Sequence, residues 1–284
     1  YMMGLTATQF ENISQNFTNV KFAVTDGELT INPMALTITA RSDSKAYDGT
    51  PLTCGEFDST TPAEGDTVAS VTLTGSQTNV GSGDNVASDA KLMRGDRDVT
   101  ANYAITYEKG TLAVTPLTDK VTVTITGNTS TVTYNGAEQS VTGYKVESIS
   151  NPLYTEADFA FSGTASVTGT DAGTYAMGLT AAQFRNQSAN ITNVEFIVTD
   201  GSLQINPRSV KLTSATDEKV YDGQPLTRPD VTVTGDGFVA GEVSDIRATG
   251  TVTNVSDGEQ PNTIVYTMSA GFKPGNYSIE KNEG

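Results

Sequence analysis

Apolar and polar residues alternate in short runs along most of this chain. Such runs include Val68–Gly75, Lys120–Thr126 and Asn262–Ser269, and stretches rich in Gly, Asn, Asp and Ser separate them from their neighbours. Alternation with a period of two residues is typical of strands with one buried face, and the intervening residues favour turns. The pattern therefore predicts an all-β chain of many short strands.

One segment breaks this alternation. Leu179–Asn186 and the similar Leu5–Asn12 place a Thr ahead of Ala and Gln, which suits a capped helical turn. We therefore expect one short helix in each of these two places, and because Phe184 is retained in the copy as Phe10, we expect Phe184 to be buried against its own sheet.

The chain contains long internal repeats. Residues 1–33 return, about two-thirds identical, at residues 175–207, and Lys45–Thr53 returns with the same spacing at Lys219–Thr227. Self-similarity over this length is the signature of an array of copied modules.

Three similar segments mark where modules end. Each has two alternating apolar runs around a short turn and finishes with a proline. The turns are Asp26-Gly27, Lys109-Gly110 and Asp200-Gly201, and the prolines are Pro33, Pro116 and Pro207. Asp-Gly between alternating runs is a strong signal for a β-hairpin, and the proline stops the ladder. These segments predict three hairpins.

The prolines divide the chain into two alternating kinds of module. The order is the C-terminal part of a longer module (1–33), a shorter module (34–117), a complete longer module (118–208) and a shorter module that lacks its last strand (209–284). A module cut within its fold leaves unpaired backbone along a sheet edge. We therefore expect the two ends of this sequence not to be the natural termini.

Module size and one local motif favour a β-sandwich. Modules of about 80 to 90 residues with closely spaced strands suit two packed sheets. Thr170–Tyr175 resembles the tyrosine corner of immunoglobulin-like sandwiches, so the Tyr175 hydroxyl is expected to bond upstream backbone, and Tyr1 is its copy. We predict a tandem array of small immunoglobulin-like sandwiches, with a β-grasp-like module as the alternative.

A Tyr-Asx-Gly triplet recurs once in each of the last three modules. Its tyrosines are Tyr47, Tyr134 and Tyr221, and its glycines are Gly49, Gly136 and Gly223. Asp or Asn followed by Gly favours a tight turn, and the tyrosine can bury its ring. We interpret these residues, with Asp200 and Gly201, as structural. The alternative, in which Tyr47 and Tyr221 stack on sugars, is weakened by the absence of Trp.

The triplets and the module endings together resemble a known family. Ala46–Leu52, Val220–Leu226 and Thr133–Gln139, with endings such as Asn102–Pro116, are similar to the YDG-type and MBG-type repeat modules of large bacterial surface adhesins. The resemblance implies an extracellular protein, anchored to the bacterial cell wall or secreted. It implies no ligand.

Composition narrows the chemistry. The 284 residues include no His, no Trp and one Cys, Cys54, and the net charge is −16. Scattered Lys and Arg do not suit nucleic acid, and without His the common hydrolytic triads are excluded. We expect no catalytic residue, cofactor, metal site or membrane insertion in this sequence. Acidic turns such as Gly81–Asn85 and Gly235–Glu242 lack calcium-loop spacing and are interpreted as solvated turns.

Two functions remain open. In the first, the modules form a stiff, monomeric stalk whose partners are neighbouring modules and which projects a distal binding domain. In the second, the longer modules bind a host glycan, mucin or surface protein through Leu179–Ile191, with Gln183, Arg185 and Asn186 as the ligand surface.

Overall fold

The computed structural model describes residues 1–284 and contains only strands and short turns of 3₁₀ helix. Its contacts divide the chain into two compact units, Tyr1–Leu117 and Thr118–Gly284. The all-β class predicted from the alternation is confirmed. No helix of the structure is long and apolar enough to cross a membrane.

The regular elements are as follows. The strands of the first unit are β1 (Met34–Ala40), β2 (Asp43–Ala46), β3 (Phe57–Ser59), β4 (Thr67–Thr74), β5 (Gly81–Arg94), β6 (Arg97–Asp98), β7 (Tyr103–Glu108) and β8 (Gly110–Thr115). Those of the second unit are β9 (Val121–Gly127), β10 (Thr129–Thr133), β11 (Gln139–Thr142), β12 (Tyr144–Ile149), β13 (Phe159–Phe161), β14 (Ser166–Gly169), β15 (Gly173–Ala176), β16 (Phe184–Asn186), β17 (Val194–Thr199), β18 (Ser202–Asn206), β19 (Arg208–Ser214), β20 (Leu226–Thr227), β21 (Val231–Gly235), β22 (Val243–Ala248), β23 (Thr251–Val252), β24 (Ile264–Met268) and β25 (Tyr277–Asn282). The 3₁₀ turns are Ala7–Gln9, Thr100–Asn102, Glu156–Asp158, Ala181–Gln183, Val255–Asp257 and Pro274–Asn276.

In the first unit, the long strand β5 belongs to one of two sheets and packs against the other. β1 lies between β3 and β7 in one sheet, and β8 lies between β2 and β5 in the other, with β4 beyond β5. Leu36 and Ile38 of β1 pack with Leu92 of β5 in one buried cluster. Leu112 and Val114 of β8 form a second buried cluster.

The second unit repeats this plan. β9 lies between β12 and β17, β18 lies between β10 and β15, and β19 lies between β21 and β25. Four further strand pairs complete the unit: β11 with β14, β13 with β16, β20 with β23, and β22 with β24.

The three predicted hairpins are wrong. The strands on either side of Lys109-Gly110 do not pair with each other, because β7 pairs in parallel with β1 while β8 pairs in parallel with β2. The same holds at Asp200-Gly201, where β17 pairs with β9 and β18 with β10. At Asp26-Gly27 the following residues instead contact Tyr1 and Met3. The turns at Lys109-Gly110 and Asp200-Gly201 therefore carry the chain from one sheet to another.

Close backbone packing explains the glycines at these crossings. A Cβ on Gly201 would lie 2.5 Å from the carbonyl oxygen of Asn128, and one on Gly110 would lie 2.5 Å from that of Ala40. In each unit two sheet crossings stack on each other here. The first lies between β1 and β2 or between β9 and β10, and the second lies at Gly110 or Gly201. Neither glycine has a positive φ. These glycines are therefore needed because there is no room for a side chain. In the sequence, such a glycine looks the same as one required by a hairpin turn.

The expected helices are also shorter than predicted. Leu179–Asn186 contains the single 3₁₀ turn Ala181–Gln183, which leads directly into β16. Phe184 is buried, as expected, and contacts the rings of Phe159, Phe161 and Phe196. An aromatic cluster therefore fixes this segment without a helix.

Residues 1–33 show what their copy gains from its neighbours. Leu203 and Ile205 are fully buried, whereas their counterparts Leu29 and Ile31 are 73% and 95% exposed. The repeated sequence thus buries its apolar face only where β10 and β15 lie beside it.

The interpretation of Gly81–Asn85 as a solvated turn is wrong, whereas Gly235–Glu242 does contain turns. Gly81–Asn85 forms the start of β5. Asn85 is buried, and its amide donates to the carbonyl oxygens of Arg41 and Cys54. Glu242, at the end of Gly235–Glu242, accepts hydrogen bonds from two tyrosines.

We expect Gly201→Ala to lower the unfolding free energy of the second unit by at least ~2 kcal/mol, because the new methyl group meets backbone that cannot move aside. Gly275→Ala is the matched control, since a Cβ there has no neighbour within 4 Å. Chemical denaturation of both variants measures the difference. Equal midpoints would contradict the close-packing account.

Candidate functional site

A tyrosine bonded to an acidic side chain occurs in both shorter modules. The Tyr103 hydroxyl donates to Asp66 Oδ2 at 2.6 Å and accepts from the Ala63 amide at 3.0 Å. The Tyr277 hydroxyl donates to Glu242 Oε2 at 2.7 Å and accepts from the Val239 amide at 3.0 Å. In each case a 3₁₀ turn ending in Asn precedes the tyrosine, so the same local sequence places the ring.

Glu242 also reaches a tyrosine from the preceding module. Its Oε1 accepts from the Tyr134 hydroxyl at 2.6 Å. The rings of Tyr134 and Tyr277 meet edge to face with centroids 5.7 Å apart, and both are buried. One carboxylate therefore joins residues 118–208 to residues 209–284.

A second polar contact links the same two segments. Asp171 accepts from Lys273 Nζ at 2.6 Å and from Asn276 Nδ2 at 3.0 Å. Asn276 is buried, and its Oδ1 accepts from the Ala172 amide at 2.7 Å. The Tyr175 hydroxyl donates to the Asp171 carbonyl oxygen at 2.9 Å. The backbone around Asp171 is thereby held on both sides.

Arg208 closes the connection between the segments. It directly follows Pro207, and its guanidinium donates to the carbonyl oxygens of Tyr134, Gly237 and Asp236. Three bonds from one planar group fix the direction in which β18 leads into β19.

Apolar packing surrounds these polar groups. Leu203 and Ile205 of β18, Val210 and Leu212 of β19, and Ile264 of β24 form one buried cluster with Tyr134 and Tyr277. We call this cluster and the polar contacts of Glu242, Asp171 and Arg208 the intermodule junction. It is a shared core, because strands of both segments contribute to it.

The environment keeps the junction hydroxyls protonated. Burial raises the pKa of Tyr134 above its ordinary value and raises that of Tyr277 to about 12. Both hydroxyls are therefore donors at neutral pH. Because both folded-state pKa values are raised, the stabilisation from these hydroxyls is present below the ordinary tyrosine pKa of about 10 and is lost as the pH rises through the raised values, about 12 for Tyr277. Hydrogen bonds from Asn276 and then Lys273 lower the pKa of Asp171.

The Tyr-Asx-Gly triplets form turns of one kind. Asp48, Asn135 and Asp222 each accept from the backbone amide two residues later, at 2.9 to 3.0 Å. The glycines that follow, Gly49, Gly136 and Gly223, all have φ between +77° and +80°.

The three tyrosines of these triplets lie in different surroundings. Tyr134 is buried in the junction. Tyr47 packs on the cluster of Leu52, Leu112 and Val114, whereas Tyr221 is 61% exposed.

Asp200 and its copy Asp26 make the same hydrogen bonds to nearby backbone. Asp200 accepts from the amides of Gly178 and Leu179, and Asp26 accepts from those of Gly4 and Leu5. The carboxylate therefore ties the crossing turn to the segment that precedes the 3₁₀ turn.

The residues expected to form a ligand surface divide into two groups. Gln183 Oε1 accepts from the Thr180 amide, and Asn186 bonds the Ile191 carbonyl and the Tyr154 hydroxyl. The copies Gln9 and Asn12 make the corresponding backbone bonds to Thr6 and Phe17. Arg185 is exposed, and Glu11 stands at its place in the copy. Retention of Gln and Asn is thus explained by internal bonding.

Sequence reasoning missed the residues that build the junction, namely Glu242, Lys273, Asn276 and Arg208. Glu242 lies in a Gly-rich acidic stretch whose sequence predicts a turn that faces water. The repeated Asn-Tyr pair at Tyr103 and Tyr277 was the available signal, because it recurs at the repeat spacing.

The comparisons bear on the central part of the chain. Residues 113–207 match the family model of the MBG domain. The resemblance to MBG-type modules stated from the sequence is thereby confirmed for this segment. A comparison with curated proteins gives no match.

We expect Tyr134→Phe to increase amide hydrogen exchange at Ala172 and Val239, on both sides of the junction, because the bond to Glu242 is lost and the carboxylate keeps only one partner. The cost should be about 1 kcal/mol in local opening free energy. Tyr103→Phe is the control, since its acid partner Asp66 lies within the same module. Exchange that rises on one side of the junction only would contradict the assignment.

Proposed function

We propose that this chain is part of the non-enzymatic repeat region of a bacterial surface adhesin, where its modules form a stiff stalk that projects a distal binding domain. In this proposal each module is a small immunoglobulin-like sandwich, and the chain is extracellular, either anchored to the cell wall or secreted. The MBG match over residues 113–207 is consistent with a surface-protein repeat region.

The intermodule junction carries the proposal. A stalk transmits position only if successive modules cannot rotate freely, and modules joined by a bare linker do rotate. Here a shared apolar cluster, one carboxylate bound by tyrosines of both segments and two guanidinium bonds of Arg208 connect residues 118–208 to residues 209–284. These interactions oppose bending at the connection.

The polar residues that are kept between the two copies serve the fold. The residues kept between 1–33 and 175–207 include Gln183, Asn186 and Asp200, whose polar atoms bond the chain itself. The exposed position between them changes from Glu11 to Arg185, which reverses the charge. A binding surface that depended on this segment would need the opposite pattern, with the exposed position kept.

The proposed partners are therefore the neighbouring modules of the same chain. A host glycan, mucin or surface protein remains the alternative ligand of the longer modules. In that alternative the exposed Arg185 would contact the ligand.

The functional test is a binding measurement on the full chain. On glycan and mucin arrays we expect no affinity tighter than about 1 mM, because Gln183 and Asn186 bond the chain itself and the exposed position between them is not kept in the copy. Arg185→Glu, which introduces the residue of the copy, should change nothing, and Glu11→Arg serves as its matched control. Specific binding that Arg185→Glu abolishes, with unchanged thermal unfolding, would overturn the stalk and make the longer module adhesive.

A further inference from the structure

Asn135 is the only asparagine of this chain that directly precedes a glycine. The Cγ of an asparagine can be attacked by the backbone nitrogen of the next residue, and a glycine leaves that nitrogen unhindered because it carries no Cβ. Asn135 and Gly136 are both exposed, and the Gly136 amide donates no hydrogen bond to the chain. Both groups that would react are therefore accessible.

The turn at Asn135 brings these groups together. Asn135 Oδ1 accepts from the Ala137 amide at 2.9 Å, and because this bond spans the Gly136 peptide group, the side chain is folded back over that group. Attack at Cγ would turn Oδ1 into an oxyanion, and the Ala137 amide is already placed to donate to it. The turn therefore favours attack by the Gly136 nitrogen.

The other two Tyr-Asx-Gly triplets are chemically different. Asp48 and Asp222 occupy the place of Asn135, and each accepts from the lysine three residues earlier, at 2.7 and 2.8 Å. That bond is the main cause that lowers the pKa of Asp48 to about 2 and the pKa of Asp222 below its usual value. An ionised carboxylate is a poor target for a nucleophile. In the third triplet Val132 stands where the lysine would be, and the turn is built with a neutral amide.

The reactive pair lies within the intermodule junction. Gly136 has a φ of +80°, and a Cβ on it would lie 2.8 Å from Val239 Cγ1. The Val239 amide donates to the Tyr277 hydroxyl, and Tyr134, directly before Asn135, donates to Glu242. The fold thus requires glycine here, and a change in the length of the backbone at this point would disturb both segments.

We propose that Asn135 is a site of spontaneous chemical modification that changes the intermodule junction with time. The Gly136 nitrogen forms a bond to Asn135 Cγ and gives its proton to water, and the side-chain nitrogen leaves as ammonia. The product is a five-membered succinimide ring. Water then opens the ring at either of its two carbonyl carbons, which gives aspartate or isoaspartate at position 135.

The two products differ in their effect on the junction. Aspartate keeps the length of the main chain, and the turns at Asp48 and Asp222 show that the triplet accepts it. Isoaspartate adds one carbon to the main chain ahead of Gly136, which has no spare room against Val239. Only isoaspartate should therefore loosen the junction. The inference goes beyond the stalk proposal, because neither step depends on what the chain binds.

The first test is peptide mass analysis of the full chain after storage, folded, at neutral pH. The peptide with Asn135 should gain about 1 Da, the difference between an amide and an acid, and should separate into two products. Its conversion should be as fast as in the urea-unfolded chain. Asn186 is the matched control, since its Oδ1 also accepts from the amide two residues later but Gln187 follows it, and it should stay intact. An Asn135 that survives in the folded chain but converts in urea would overturn the proposal.

The second test is amide hydrogen exchange at Val239 in the isolated isoaspartate form of the full chain. Exchange should be about tenfold faster than in the fresh chain, because the added backbone atom opens the contact between Gly136 and Val239. Asn135→Asp adds the same charge without the extra atom and should exchange like the fresh chain. Unchanged exchange in the isoaspartate form, or an equal rise in Asn135→Asp, would overturn the effect assigned to chain length.

Discussion

The carboxylate of Glu242, bound at once by Tyr134 and Tyr277, is the interaction on which the arrangement of residues 118–284 depends. It lies against a shared apolar cluster, so neither tyrosine can leave without exposing a ring and losing its bond to the carboxylate. The first shorter module has the same acid–tyrosine bond, but there Asp66 pairs with Arg94 instead of a second tyrosine. A contact internal to one module has thus become a connection between two.

A second constraint acts within each module. The chain crosses from one sheet to the other twice, and the two crossings stack so closely that Gly110 and Gly201 have no room for a side chain. Parallel pairing of β1 with β7 and of β9 with β17 follows from this stacking. Residues 175–207 can bury Leu203 and Ile205 only after β10 and β15 are in place, which explains why the copy at residues 1–33 leaves its apolar groups exposed.

Strand content and the Asx turns could be predicted from the sequence, because both depend on neighbouring residues. Val121–Gly127 and Thr67–Thr74 lie within a residue of the alternating runs that predicted them. The partner of each strand could not be predicted from the sequence, because an Asp-Gly or Lys-Gly pair is equally compatible with a hairpin and with a sheet crossing. Phe184 was expected to be buried because its copy is retained, but the helix expected there is a single 3₁₀ turn that ends at Gln183, and rings from β13 and β17 supply the packing.

The residues of the intermodule junction could not be predicted from the sequence, because their partners are distant along the chain. Acidic residues in Gly-rich stretches usually face water, and only the fold places Glu242 under two hydroxyls. Arg208 likewise reads as a charged linker residue, whereas its guanidinium bonds carbonyl groups from both sides of the connection. Long-range polar contacts of this kind leave no periodic trace in sequence.

If residues 118–208 and 209–284 are held as one rigid body, a distance between them has one well-defined value. Spin labels at Glu147 of β12 and Thr232 of β21, both exposed, in a Cys54→Ser chain, report that distance by pulsed electron paramagnetic resonance. A single narrow distribution that broadens in Glu242→Gln is the expected result. A broad distribution in the otherwise unaltered chain would contradict a rigid junction.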